Sequence, residues 1–200
     1  MHFFSVLMPL ALASTTPFSV ALATPAAWPP VRNYPGGGKL PVDWHGGPDS
    51  TPGKFCLTDA EAQTIVDGFV NMLENTMENF NVTLANTLLA DDFSDYSDSI
   101  NYLKRTPLGE VSFASKQEFI DGQGTQPPFP SVETLNMFHT CDSIAWRWQG
   151  NYAPLWIRGI NMFLINEKKQ IKTVLVEMNS GAFLKNVGKP ECDPSIEYYN

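Results

Sequence analysis

Apolar residues recur every three or four positions after Cys56, which is the spacing of one face of an α-helix. Thr58 and Glu61 have the spacing of a capping box, so the helix should begin at residue 58 and continue to about residue 78. The apolar face consists of Ala62, Ile65, Val66, Phe69, Leu73, Thr76, Met77 and Phe80.

Two shorter helical patterns follow. Over residues 83–90, Leu84 and Leu88 fall on one side of a predicted second helix. Ser115 and Glu118 repeat the capping-box spacing and open a predicted third helix, which Gly122 ends.

Beyond residue 130 the period of the pattern changes to two, which is typical of strands with one buried face. The turns between the strands are too short for crossover connections, so the pairing should be an antiparallel meander. Helices followed by strands predict an α+β domain, with three N-terminal helices on one face of a bent sheet. The predicted strands cover residues 132–141, 144–152, 155–165 and 171–180.

The N-terminal region has a different composition. Residues 1–23 are uncharged except for His2 and largely apolar, with small residues at Ala21 and Ala23, which predicts a secretory signal peptide and an extracellular protein. A membrane anchor is the weaker interpretation because the apolar run is too short to span a bilayer. Residues 24–54 contain seven prolines and six glycines and predict a disordered tail. The folded domain should cover residues 55–193, and residues 194–200 should form a C-terminal tail.

The net charge limits the class of partner. The whole chain carries −8, which is the wrong sign for binding nucleic acid or an anionic membrane surface. Its three histidines and three cysteines lack the spacing of a metal site, and no nucleotide-binding motif occurs. The sequence therefore predicts neither a metal nor another cofactor.

Several segments resemble one family. The chain is similar to the secreted fungal members of the nuclear-transport-factor-2-like superfamily, and the likeness covers residues 56–192. It rests on the opening Cys-Leu-Thr, on "LLADDFSDYSDSIN", on "GQGTQPP", on "FHTCDS", on "RW" and on "EMNSGAF". The resemblance implies a cone-shaped fold in which a strongly curved antiparallel sheet wraps around the helices and leaves a pocket.

That resemblance implies a secreted pocket protein of small-molecule metabolism that binds an apolar or aromatic molecule. One hypothesis is a cofactor-independent isomerase, dehydratase or cyclase. The alternatives are a non-catalytic protein that binds a small ligand or acts at a surface, and a dimeric module whose interior is filled by its own side chains.

The acidic cluster after the second helix supplies the candidate catalytic groups. Tyr96 and Asp98 alternate with Asp95 and Ser97, so one of the two pairs should face the pocket. Tyr96, Asp98 and His139 are the predicted catalytic residues, since a carboxylate, a phenol and an imidazole can move a proton and stabilise an enolate. The alternative interpretation is that the aspartates cap turns in water and that His139 is a core residue.

Other polar and aromatic residues on the strands are predicted to line the pocket. Arg147 and Glu177 are alternatively a cross-strand ion pair. The aromatic area of the sheet exceeds what short helices can cover, so it indicates either a flat ligand or a homodimer formed through the sheet. The predicted lining is Trp146, Arg147, Trp148, Glu177 and Asn179, and the aromatic excess also includes Trp156 and Phe163.

Three cysteines allow three disulfide pairings, and loop-closure entropy differs by only about 1 kcal/mol between them. Cys56 and Cys192 bracket the domain and are the predicted pair. In the family, Cys141 often pairs with a cysteine before the third helix, which this chain lacks, so Cys141 is predicted to be a free, buried thiol. Asn81 begins the sequon Asn-Val-Thr and is the predicted glycosylation site.

Overall fold

The computed structural model describes residues 55–189, which form one six-stranded sheet and five α-helices. The predicted signal peptide, the Pro/Gly-rich tail, the C-terminal tail and Cys192 lie outside the described residues and stay predictions. The helices are α1 (Asp59–Glu74), α2 (Val82–Leu88), α3 (Asp98–Lys104), α4 (Lys116–Gln123) and α5 (Ser180–Asn186). The strands are β1 (Leu89–Tyr96), β2 (Val111–Phe113), β3 (Val132–His139), β4 (Ser143–Gly150), β5 (Ile157–Ile165) and β6 (Ile171–Met178).

Helix α1 begins as the capping pattern predicts but ends earlier. The Glu61 amide donates to Thr58 Oγ1 at 3.3 Å, and the Thr58 amide donates to Glu61 Oε2 at 3.0 Å, which completes the capping box. The helix ends at Glu74 because Thr76 turns away to donate its hydroxyl to the Gln126 carbonyl at 2.6 Å. Within residues 55–189 no helix is both long enough and apolar enough to cross a bilayer, and α1 has 16 residues.

The chain contains two short helices that the hydrophobic pattern does not predict. Ser97 caps α3 by accepting from the Ile100 amide at 2.9 Å, and Asn179 caps α5 by accepting from the Ala182 amide at 3.0 Å. Each helix has seven residues and begins two positions after a strand ends, so the alternating pattern of the strand hides the start of the helix. Their capping residues are a local signal, but Ser97 and Asn179 also fit the alternating pattern of the residues before them.

The predicted antiparallel meander is confirmed for β3 to β6, and the α+β class is confirmed with it. The strand order is β2-β1-β6-β5-β4-β3, so two strands lie beyond the meander. Strand β1 pairs with β6 in parallel and with β2 antiparallel. A parallel pair needs a long connection, and here most of the domain forms it, so no local pattern could predict this pairing.

Helix α1 packs its apolar side into the concave face of the sheet. Its Phe69 ring lies 4.9 Å from the ring of Phe163 and 6.2 Å, edge-on, from that of Trp146. Both sheet residues are fully buried. These contacts join the first helix to the middle strands and form the centre of the core.

The disulfide prediction is wrong. Cys56 is bonded to Cys141, so it does not pair with Cys192 and Cys141 is not a free thiol. The Leu57 amide donates to the Cys141 carbonyl at 3.0 Å, so the chain entering α1 lies beside the end of β3. The packing of α1 on the sheet brings Cys56 and Cys141 together. This closeness in space, rather than their separation along the chain, decides the pairing.

The Cys56–Cys141 bond should contribute substantially to stability because it closes a loop with a sequence separation of 85 residues. Replacing Cys141 by serine should lower the free energy of unfolding by about 4.6 kcal/mol, from the loop-closure entropy. Urea unfolding of the Cys141→Ser and Cys192→Ser variants measures the difference. Cys192→Ser is the matched control and should unfold like the wild type; equal losses in both variants would contradict this pairing.

Candidate functional site

A cavity of about 300 Å³ lies between the concave face of the sheet and the helices. Its wall is mainly apolar and is built from most of the elements of the fold. Six aromatic side chains line it, namely Phe69, Phe113, Phe119, Phe129, Trp148 and Phe183. The aliphatic part of the lining consists of Leu73, Ile100, Leu103, Val176 and Met178.

Asp95 is the acidic residue in this lining, and it lies on β1. Its neighbours Ser94 and Tyr96 are half-buried, whereas Asp95 is buried like Phe93 two positions earlier, so both residues point into the fold. Asp95 is 1% exposed, and its Oδ1 has no hydrogen-bond partner among the described residues. A buried carboxyl oxygen without a partner is costly, which makes this residue the strongest candidate for a chemical role.

Burial raises the pKa of Asp95 from 3.8 to about 8, because an ionised carboxylate loses its hydration inside the apolar wall. The positive charge of Lys104 opposes this rise, and the negative charge of Glu177 adds to it. Asp95 therefore keeps its proton near neutral pH and can both give and take a proton there.

Five other polar residues line the cavity, namely Lys104, Gln123, Thr125, Gln126 and Asn161. Lys104, on α3, donates to the Ser112 carbonyl and lies 4.1 Å from the centre of the Phe113 ring. Gln123, at the end of α4, is 3% exposed, and its Oε1 also lacks a hydrogen-bond partner among the described residues. Asn161, on β5, is 2% exposed and accepts from the Trp148 indole at 2.7 Å.

The three predicted catalytic residues do not meet in this cavity, and none of them belongs to its lining. Tyr96 follows Asp95 on β1 and therefore takes the outward phase. Asp98 is exposed at the start of α3, where its Oδ1 accepts from the Gly109 amide at 2.6 Å. For Asp98 this arrangement matches the alternative interpretation, in which the clustered aspartates cap turns and face water.

His139 lies at the end of β3 and contacts α1 instead of the cavity. Its Nε2 lies 2.8 Å from Asp59 Oδ1, and its Nδ1 lies 3.0 Å from the Thr140 carbonyl. The Asp59 carboxylate and then the Thr140 carbonyl raise the pKa of His139, since both accept from the protonated ring. The residue ties the strand to the first helix, near the Cys56–Cys141 bond.

Of the five predicted pocket residues, only Trp148 lines the cavity. Arg147 and Glu177 take the outward phase of their strands, and β5 separates them, so they do not form the cross-strand pair either. Glu177 instead accepts from the Asp98 and Ser99 amides at 3.0 and 2.9 Å.

The remaining two predicted pocket residues have structural roles. Trp146 is fully buried beside Phe69 and Phe163, and its indole donates to Thr134 Oγ1 at 2.9 Å. Asn179 caps α5. Three residues of the predicted aromatic excess, Trp146, Trp148 and Phe163, are buried, and the fourth, Trp156, is 62% exposed. A homodimer through the sheet stays a prediction.

Comparison with known proteins identifies the fold family. A family model described as an NTF2-like domain matches residues 55–190, which is more than half of the chain. The chain belongs to the NTF2-like family. The match covers the sheet, the helices and every residue of the cavity lining.

Solved structures with similar folds share little sequence with this NTF2-like chain. A loop truncation variant of IdmH is 18% identical, with a TM-score of 0.47, and the match covers 62% of this chain and 99% of that one. A hypothetical protein from Catenulispora acidiphila with a ketosteroid isomerase-like fold, in complex with trimethylamine, is 15% identical, with a TM-score of 0.47 and coverage of 65% and 97%. A SnoaL-like protein of unknown function from Burkholderia thailandensis is 14% identical, with a TM-score of 0.46 and coverage of 61% and 98%. A search of curated proteins gave no match.

The cavity of this NTF2-like protein contains functional candidates that the sequence analysis missed. Asp95 could have been found from Phe93, because a strand that buries Phe93 must also turn Asp95 inward. Gln123 and Asn161 gave no such signal, since a single amide in a helix or an apolar strand is common. Among residues 55–189, no group of three or more histidine, cysteine or acidic residues is arranged to hold a metal ion.

The buried Asp95 carboxyl should make stability depend on pH. Its pKa in the fold is higher than in the unfolded chain, so between about pH 4 and pH 8 the folded state holds the extra proton and stability falls as pH rises. Replacing Asp95 by asparagine should remove this dependence, and the resulting gain in the free energy of unfolding should reach up to about 6 kcal/mol above pH 8.

Urea unfolding of the wild type and the Asp95→Asn variant at pH 4.5 and pH 8.5 measures this gain. Asp92→Asn is the matched control on the same strand, because the Asp92 side chain is exposed. Its Oδ2 lies 3.2 Å from Lys172 Nζ. That variant should change the free energy of unfolding by less than about 1 kcal/mol at either pH. If the free energies of unfolding of Asp95→Asn and the wild type differ by the same amount at both pH values, Asp95 ionises normally.

Proposed function

We propose that this protein is a secreted, cofactor-independent enzyme of small-molecule metabolism that transfers protons at an apolar ring substrate, as an isomerase, dehydratase or cyclase does. NTF2-like folds commonly bind small hydrophobic ligands, which supports the coarser part of the proposal. The observation that carries the finer part is the Asp95 carboxyl, which is buried in an apolar cavity with one oxygen unpartnered.

Asp95 would act as the proton-transferring group. Its ionised form is a stronger base than an exposed aspartate because its pKa is raised to about 8. It could take a proton from the carbon beside a carbonyl group. It could then return that proton to another carbon or to a departing hydroxyl group. The aromatic wall would exclude water during these steps and strengthen the electrostatic interactions inside.

The proposal is tested by the exchange of hydrogen for deuterium, which needs no knowledge of the natural product. The probe is α-tetralone, a bicyclic ketone whose hydrogens beside the carbonyl exchange slowly with D₂O. The wild type should accelerate this exchange above the protein-free rate, with a rate that rises with pH through about 8. Asp95→Asn should reduce the acceleration by at least about 100-fold, the typical contribution of a positioned acid or base. Nuclear magnetic resonance follows the loss of the signal.

Asp92→Asn is again the matched control and should exchange the probe like the wild type. An Asp95→Asn variant as active as the wild type would refute the role of Asp95. A wild type that binds the ketone without accelerating exchange would favour the alternative, a non-catalytic ligand-binding protein.

We also propose that the protein is exported and glycosylated at Asn81. The sequon supports this, and so does the exposure of Asn81 at the start of α2. Its Oδ1 accepts from the Leu84 amide at 2.9 Å, and no hydrogen bond within residues 55–189 involves its Nδ2, the atom that would carry the sugar.

Material collected from the culture medium should begin at Thr24 and should lose mass when treated with a glycosidase. Mass spectrometry of the wild type and the Asn81→Gln variant measures both features. The variant should be secreted without the sugar mass, because the chain outside the sequon is unchanged. Secreted wild type with an unmodified Asn81 would refute the modification.

A further inference from the structure

The amide of Asn161 has a defined orientation in the cavity wall. The Trp148 indole nitrogen is a donor only, so the atom it meets at 2.7 Å must be the acceptor of the amide, Asn161 Oδ1. The hydrogens of Asn161 Nδ2 are then the donors that this side chain offers to a ligand. Asn161 belongs to the cavity lining and is almost completely buried, so water does not readily compete for them.

Packing holds the Trp148 indole in place. A Cβ atom at Gly159 would lie 2.4 Å from the indole ring, so only glycine allows this approach. The Phe129 ring packs edge-on against Trp148, with ring centroids 5.5 Å apart. Since Trp148 cannot easily move, it keeps the Asn161 amide from rotating.

Gln123 supplies a second polar group from the opposite layer of the cavity. It lies at the end of α4, whereas Asn161 lies on the sheet. Its Oε1 is buried and has no hydrogen-bond partner among the described residues. A native fold rarely keeps such an atom unless something else satisfies it, and the cavity is the space that adjoins this side chain.

We propose that Asn161 and Gln123 are the specificity-determining pair of the cavity, and that they select a neutral ring molecule carrying a carbonyl group and a hydroxyl group. The carbonyl oxygen accepts from Asn161 Nδ2, and the hydroxyl donates to Gln123 Oε1. The inference rests on the proposed function, because it assumes that the cavity receives a small molecule. The two amides are uncharged, so they fit neutral polar groups on the ligand.

The test compares three probes with one carbon skeleton on the full chain. Tetralin has no polar group, α-tetralone adds the carbonyl, and hydroxy-α-tetralone adds a hydroxyl on the other ring. Titration calorimetry measures their affinities. Each added group should tighten binding by about tenfold, as expected for one well-placed hydrogen bond in a buried site.

Two variants assign these gains to the two residues. Asn161→Asp keeps an acceptor for the Trp148 indole but removes the donors, so it should lose the tenfold gain for the carbonyl and leave tetralin unchanged. Gln123→Met has a similar size and should lose only the gain for the hydroxyl. Asn86→Asp, on the exposed side of α2, is the matched control and should bind all three probes like the wild type.

The possible outcomes separate this inference from the proposed function. If the wild type binds all three probes equally, the specificity pair is wrong while the apolar cavity stands. If it binds none of them, both the pair and the proposed function are overturned. Because the ranking is measured first on the wild type, the test does not depend on whether a variant folds.

Discussion

The packing of α1 into the concave face of the sheet is the contact on which the rest of this fold depends. The Phe69 side chain of α1 contacts Phe119 of α4 as well as Trp146 and Phe163 of the sheet. This one side chain therefore connects α1, α4 and the sheet. A curved sheet encloses more space than one helix can fill. The helices that follow cover only part of the remainder, and the cavity is the part they leave open.

Stability and chemistry oppose each other at Asp95. The strand that buries Phe93 also buries Asp95, and the fold accepts an ionisable group whose oxygen has no partner among the described residues. Lys104 reduces this cost but does not remove it, because its ammonium group donates to the Ser112 carbonyl rather than to the carboxyl. A carboxyl held in this way is destabilising for the fold and useful for proton transfer, a combination that is frequent at active sites.

The predicted site residues show how short structural features resemble functional ones. Asp98 is a predicted catalytic residue and Glu177 a predicted pocket residue, yet Asp98 is the first residue of α3 and Glu177, on β6, binds the start of that helix. Glu177 accepts from the first amides of that helix, and Asp98 accepts from Gly109. His139 similarly joins β3 to the start of α1. Helix starts attract carboxylates because their first amides are unpaired, so acidic clusters often report a cap.

Local patterns were sufficient for α1, α2 and α4, for the meander from β3 to β6 and for the α+β class, because each rests on a period of 3.6 or 2 repeated over several residues. The pairing of β1 with β6, the Cys56–Cys141 bond and the meeting of Asp95, Gln123 and Asn161 in one cavity depended on the assembled fold. Their partners lie far apart in the chain and on different elements. Alternate residues of a strand point to opposite faces, so the choice of buried face decides whether a carboxylate lies in water or in the interior. Only the packing of the strand in the assembled fold makes that choice.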